Sequence, residues 1–217
     1  MKLFFPALIL IGISTLVLLP GCGFTPPGTV QLKDKPEKYL DRMEISNIDW
    51  RAYLFWLEDE YGEDSEKYLQ AIPDSNSWLQ AYEEPVLWNR DYNHYPIVGI
   101  TYEQAQAFCQ WRSEPVQMKF KKEVQYRLPT VEELKLASEK EDFEQKEDLY
   151  AYGTRNWFQR RLDLPRKHKG LFDNAVELTA EQGVAVHGDE ETQTLTTQEY
   201  VVPQKDLGFR CIAEYAE

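Results

Sequence analysis

The chain has 217 residues, with 37 acidic against 24 basic side chains and a formal charge of −13. So acidic a surface has no basic stripe to neutralise phosphates, which excludes nucleic acid as a partner and flat adsorption on anionic lipid. The length suits one domain with a real core, and 13% aromatic residues imply a well-packed body or an aromatic-rich binding face.

Residues 1–21 read as a removable leader. Met1-Lys2 is a basic start, "LFFPALILIGISTLVLL" carries no charge, and "LLPGCG" supplies the small-residue exit. The last step resembles a bacterial lipobox, Leu19-Pro20-Gly21-Cys22, which implies cleavage before Cys22 and a covalent lipid on its sulfur. An uncleaved transmembrane helix is the alternative, since the run approaches the ~18 apolar residues that would suffice. Residues 22–39 are then the lipidated cysteine and a flexible tether, because "GFTPPGTVQLKD" is rich in Pro, Gly and Thr without a periodic apolar face. The domain proper is expected over 40–217.

The first helix is expected in "EISNIDWRAYLFWLEDEYG", 44–62, where Ile48, Trp50, Tyr53, Leu54, Leu57 and Tyr61 fall on one face. Asn47 reads as its N-cap and Gly62 as its end. "SEKYLQAI" gives a short second helix before Pro73, and the residues after it read as loop until "YPIVGI", a short buried strand. In "TYEQAQAFCQWRS" Thr101 and Gln104 form a capping box, and "YRLPT" is extended ahead of its proline. Thr130 and Glu133 make a second capping box that opens a helix through Leu134 and Ala137. The charged run 139–148 reads as a solvated helix end or loop. Beyond 150 only short extended pieces stand out, among them "GVAVHG", "QEYVVP" and "LGFRCIAEY".

Motifs for chemistry are scarce. There is no Gly-Xaa-Ser-Xaa-Gly elbow, no phosphate-cradling glycine loop and no His-Glu-Xaa-Xaa-His. His94, His168 and His187 stand at no ligand-like spacing. Of three cysteines, Cys109 and Cys211 remain if Cys22 carries lipid. An exported setting permits a disulfide between them, and two separately buried thiols are the alternative.

"EISNIDWRAYLFWL", "YPIVGITYEQAQAFCQWRS", "YRLPTVEELKLAS", "GLFDNAVELTA" and "LGFRCIAEY" follow one another in an order that resembles the sulfatase-modifying-factor domain of the formylglycine-generating enzyme. The likeness covers roughly 40–217. It implies an α+β, loop-rich single domain with little regular secondary structure, distantly similar to C-type lectins. It marks Asn47, Arg127, Pro129, Glu133, Gly208 and Arg210 as framework residues, with Arg127 a guanidinium tying loop carbonyls and Gly208 a close backbone approach. It also implies that Cys109 and Cys211 pair with each other.

The family's enzymes hold copper(I) on two further cysteines near the domain's end, in an "RGGSW" context. The matching interval here, 181–206, contains neither a cysteine nor that motif. The resemblance therefore implies a catalytically inactive copy with no redox cofactor. Calcium is a further expectation, on Asp173, Asn174 and Glu177, although the family's "GN" step is missing from "GLFDNAVELTA". "HGDEET", 187–192, reads as a solvated acidic loop.

An inactive domain on a lipid anchor is expected to act as a binding or scaffold subunit among other envelope proteins. The lipoprotein context is similar to that of gliding-motility and type IX secretion lipoproteins. Trp78, Tyr82, Trp88 and Tyr92 are the candidate binding surface, with core packing as the alternative for these aromatics. A glycan or peptidoglycan ligand stacked on Trp78 and Trp88 is the second functional reading, and an oxygen-dependent cysteine-oxidising enzyme the third. No Asp stands immediately after Cys22 and no acidic cluster is nearby, so the expected location is the outer membrane, facing the periplasm.

Overall fold

Two short strands open the domain well before residue 40. Thr29–Gln31 (β1) and Lys38–Asp41 (β2) pair antiparallel, with Thr29 opposite Asp41. The computed structural model describes residues 24–82, 86–139, 171, 175–189, 191–192, 194–201 and 204–215. The leader, Cys22 and most of the charged run 139–148 lie outside them. Residues 24–39 are therefore not a free tether. Phe24 packs its ring 4.8 Å from Phe120, and Arg112 donates to the Pro27 carbonyl at 3.0 Å. A three-residue strand is too short to show a period of two, so composition alone misread the segment.

Next come Asn47–Tyr61 (α1), Glu66–Ala71 (α2), Ser75–Tyr82 (α3) and a 3₁₀ turn at Arg90–Tyr92. The expected loop after Pro73 thus begins with a helix. Ser46, not Asn47, caps α1: its hydroxyl accepts from the Asp49 amide, and the Asp49 carboxylate accepts the Ser46 amide at 3.1 Å. Asn47 lies one position inside and spends its side-chain amide on the Tyr92 carbonyl, 2.9 Å away. Trp50, Tyr53, Leu54 and Leu57 form the buried face, whereas Ile48 and Tyr61 stay exposed at either end.

"YPIVGI" is buried but is no strand, and makes only the single bridge Ser46 to Pro96. Pro96 has no N–H to continue a ladder, and Gly99 turns away at φ +73°. A Cβ at Gly99 would stand 2.7 Å from the Asp74 carbonyl oxygen, so the approach requires glycine.

Tyr102–Phe120 (α4) starts on the expected Thr101–Gln104 box and runs through Pro115. Val116 stays in the core and the Gln117 side chain donates to the Val124 carbonyl at 2.8 Å, contacts that offset the missing proline amide. Val124–Arg127 (β3) and Val131–Ser138 (α5) follow, α5 on the expected Thr130–Glu133 box. The chain ends in Val176–Leu178 (β4), Val184–Asp189 (β5), Thr194–Glu199 (β6), Leu207–Gly208 (β7) and Ile212–Tyr215 (β8).

One sheet has the order β1-β2-β8-β3, antiparallel throughout; the other runs β6-β5-β4-β7, parallel only between β4 and β7. Alternate residues of the first sheet serve different cores. Tyr39 and Ala213 face the main aromatic core, and their neighbours Leu40 and Ile212 face a smaller cluster with Leu134, Ala137 and Val186. Trp50 and Phe108 stack at 5.3 Å in the main core, with Phe209 edge-on to both. The architecture is α+β and short in its elements. Gly208 makes the close approach expected of it, since a Cβ there would meet Ala175 at 3.1 Å and the Ile97 carbonyl at 3.2 Å.

Candidate functional site

Cys109 in α4 and Cys211 before β8 are joined, with an S–S distance of 2.01 Å across 102 positions of sequence. Both are fully buried.

Beside the bridge lies a cluster of buried charge. Arg210 is completely enclosed, and its Nε and Nη2 donate to the two oxygens of Glu177 at 2.6 Å each. Nη1 donates to the Asp41 and Arg42 carbonyls, and Glu44 stands 3.7 Å from Nη2. Tying loop carbonyls, the task expected of Arg127, thus belongs to Arg210. Asp41 accepts from Arg112 at 2.6 Å and from the Cys211 amide at 2.9 Å. Burial pushes Asp41 and Glu177 above the ordinary carboxylate range, and Arg112 and Arg210 only partly offset it. Glu177 gives both oxygens to the Arg210 guanidinium. Asp173 and Asn174 lie outside the described residues. Among the described residues no group of three His, Cys, Asp or Glu side chains could hold a metal ion.

Arg127 belongs to a second, shallower network. It grips Glu133 with two nitrogens at 2.7 and 2.8 Å, donates to Glu214, and takes one carbonyl, that of Leu128. Lys38 adds bonds to Glu133 at 2.7 Å and to Glu214 at 3.1 Å. Pro129 contributes its carbonyl, which accepts the Ala180 amide at 2.7 Å. Burial alone would raise Glu133, but hydrogen bonds from Arg127, Lys38 and the Thr130 amide hold it down to about 2.

A carboxylate depressed in the folded state contributes its stability fully above its ordinary value of 4.5, and loses it as the pH falls to about 2. Glu133→Gln should therefore lower the melting temperature at pH 7, and its curve should converge on the wild type between pH 4.5 and 2. Parallel melting curves across that window would remove Glu133 as the titrating group.

The four aromatics expected to form one surface divide. Trp88 is 55% exposed. Tyr92 is partly buried, packed on the core and 4.9 Å from the Tyr95 ring. The side chains of Trp78 and Tyr82 lie outside the described residues, although α3 carries their backbone.

Two clefts flank α4. One, about 390 Å³, is lined by the charged groups Asp41, Glu44, Asp49 and Arg112. The other, about 660 Å³, lies among α1, α2 and α4 and brings Trp56, Tyr61 and Trp111 together with Lys67, Gln110 and Glu114. Sequence reasoning missed this second cleft. Its signal is the row Glu103, Ala107, Gln110 and Glu114 along α4, a polar stripe at helical spacing that faces aromatics of α1.

Residues 24–182 match the model of a family described as "Sulfatase-modifying factor enzyme 1-like domain". No curated protein matches the chain in sequence. Among solved structures, one titled "Crystal Structure of CarF" aligns over 83% of this chain and 87% of that one, with 12% identity and a TM-score of 0.44.

Proposed function

The chain belongs to the family of sulfatase-modifying factor enzyme 1-like domains, and from that premise we propose that it is a binding subunit of a bacterial envelope complex and not an oxidase. The observation that carries the reading is the state of its sulfur. Copper(I) chemistry of the kind the resemblance implies needs two thiolates, because the soft ion prefers sulfur. Of the three cysteines in the chain, Cys109 and Cys211 are bonded to each other in the interior and Cys22 stands alone. The residues present do not fit a copper pair. Supplying the purified protein with copper and a cysteine-containing sulfatase peptide should leave the peptide mass unchanged. Oxidation of that cysteine would overturn the reading.

The anchor is the lipid on Cys22, held on the periplasmic face of the outer membrane by acyl chains, each buried CH₂ contributing ~0.8 kcal/mol. Cys22→Ala should shift the protein from the membrane to the soluble fraction of lysed cells. Persistence in the membrane would favour an uncleaved apolar segment at 1–21.

The partner is another envelope protein; secretion and gliding complexes are the class that the lipoprotein resemblance suggests. Trp88 supports this reading, since a half-exposed indole has the surface that anchors protein interfaces. Crosslinking in intact cells followed by mass spectrometry should recover a partner from wild type and much less of it from Trp88→Ala. A monodisperse monomer with nothing crosslinked would count against the proposal.

A further inference from the structure

The 660 Å³ cleft among α1, α2 and α4 takes no part in the disulfide or in either ion-pair network. Its size falls within the range of about 300–1,000 Å³ usual for small-ligand sites. The Trp56 and Tyr61 rings are 5.7 Å apart and nearly perpendicular, so they form a corner and not a flat stack. Trp111 closes a third side, 6.0 Å from Trp56 and tilted by 47°. Tyr61 is 42% exposed and Trp56 only partly buried, more open than packing alone requires of such large rings.

The neighbouring framework is fixed. Gln104 donates to the Gln70 and Ile72 carbonyls at 2.7 and 2.9 Å, and the Trp50 indole donates to the Ala71 carbonyl at 3.1 Å. Gln110 and Glu114, one turn apart on α4, line the cleft as an exposed amide and carboxylate.

We propose that this cleft binds a neutral oligosaccharide, one sugar ring of which stacks on Trp56 with Tyr61 flanking it, while its hydroxyls bond Gln110 and Glu114. A hexopyranose has an apolar face of polarised C–H bonds, which suits the electron-rich face of an aromatic ring. Its edges carry hydroxyls that both donate and accept, which suits an amide beside a carboxylate.

Other ligand classes fit less well. An organic cation would be repelled by Lys67, which lines the cleft with its ammonium 3.8 Å from the Tyr61 ring centre. An anionic polymer would meet Glu103, Glu114 and a chain of net charge −13. A wholly apolar ligand would strip water from the amides and carboxylates without replacing their hydrogen bonds. The proposal does not depend on the protein partner above, whose surface is argued from Trp88.

The test uses the full-length protein in a polyoxyethylene detergent, which carries no sugar headgroup. Cellotetraose, laminaritetraose and N-acetylchitotetraose are titrated separately while tryptophan fluorescence and heat of binding are followed. Saturable binding of at least one is expected. Trp56→Ala and Tyr61→Ala should each weaken it by about tenfold or more, equivalent to one 1.4 kcal/mol step. Gln110→Ala, at an exposed position, should weaken it several-fold without disturbing the fold, and Trp88→Ala should leave it unchanged. Near-ultraviolet circular dichroism shows that each variant is folded. Absence of saturable binding to all three sugars would overturn the proposal. So would binding that survives both Trp56→Ala and Tyr61→Ala, or binding lost in Trp88→Ala.

Discussion

Arg210→Ala should lower stability by about 3–5 kcal/mol, because it leaves charge buried without a partner. Glu177 and Glu44 would remain enclosed, and the Asp41 and Arg42 carbonyls would lose their shared donor. Such a loss is a large part of the ~5–15 kcal/mol that holds a typical domain together. For a chain of this size it should lower the melting temperature by on the order of 10 °C.

Arg210→Lys keeps the charge but cannot fork onto both Glu177 oxygens, so it should fall between wild type and alanine. The double variant Arg210→Met with Glu177→Leu should recover much of the loss, since an apolar pair of similar volume avoids the desolvation of two ions. Chemical denaturation of the four proteins checks this order. An Arg210→Ala variant within about 1 kcal/mol of wild type would show that the buried carboxyls had simply taken up protons.

Removing the disulfide should have an effect of similar size through a different route. A cross-link closing a loop of 102 positions stabilises by about 4.7 kcal/mol in the chain-entropy model, mostly by restricting the unfolded chain. The variant Cys109→Ala with Cys211→Ala should therefore melt on the order of 10 °C below wild type. With both sulfurs buried, a mild reductant should act slowly on the folded protein and quickly once denaturant opens it. Free-thiol labelling of the denatured, unreduced protein should find neither cysteine. Labelling of both, or equal melting temperatures with and without the bridge, would contradict the pairing.

What the sequence reveals depends on how far apart the interacting residues stand. The boxes Thr101–Gln104 and Thr130–Glu133 are legible because cap and partner are three residues apart. The α1 cap is misplaced by one residue because Ser46 and Asn47 both suit the role, and only the Ser46 bond to Asp49 decides between them. The Glu177–Arg210 pair is illegible because a carboxylate's partner 33 positions away leaves no local trace. The meeting of the cleft's aromatics is illegible for the same reason, although its α4 row is visible. Trp56 and Trp111 belong to different helices, and neither segment shows that the two rings stand 6.0 Å apart. The resemblance, by contrast, rests on several segments taken in order and carries the fold class.

The position of β8 has a consequence for the order in which the protein can be made. This strand, Ile212–Tyr215, lies between β2 and β3, so the sheet begun by residues 29–41 has no centre until residues near 215 arrive. Arg210 and Cys211, which neutralise the buried acids and close the cross-link, arrive at the same late moment. A nascent chain that stops short of residue 207 thus has a split sheet, a Glu177 without its Arg210 guanidinium, and Cys109 without its partner. Such non-local closure is slow, and it keeps the growing polypeptide open until residues 207–215 have been made.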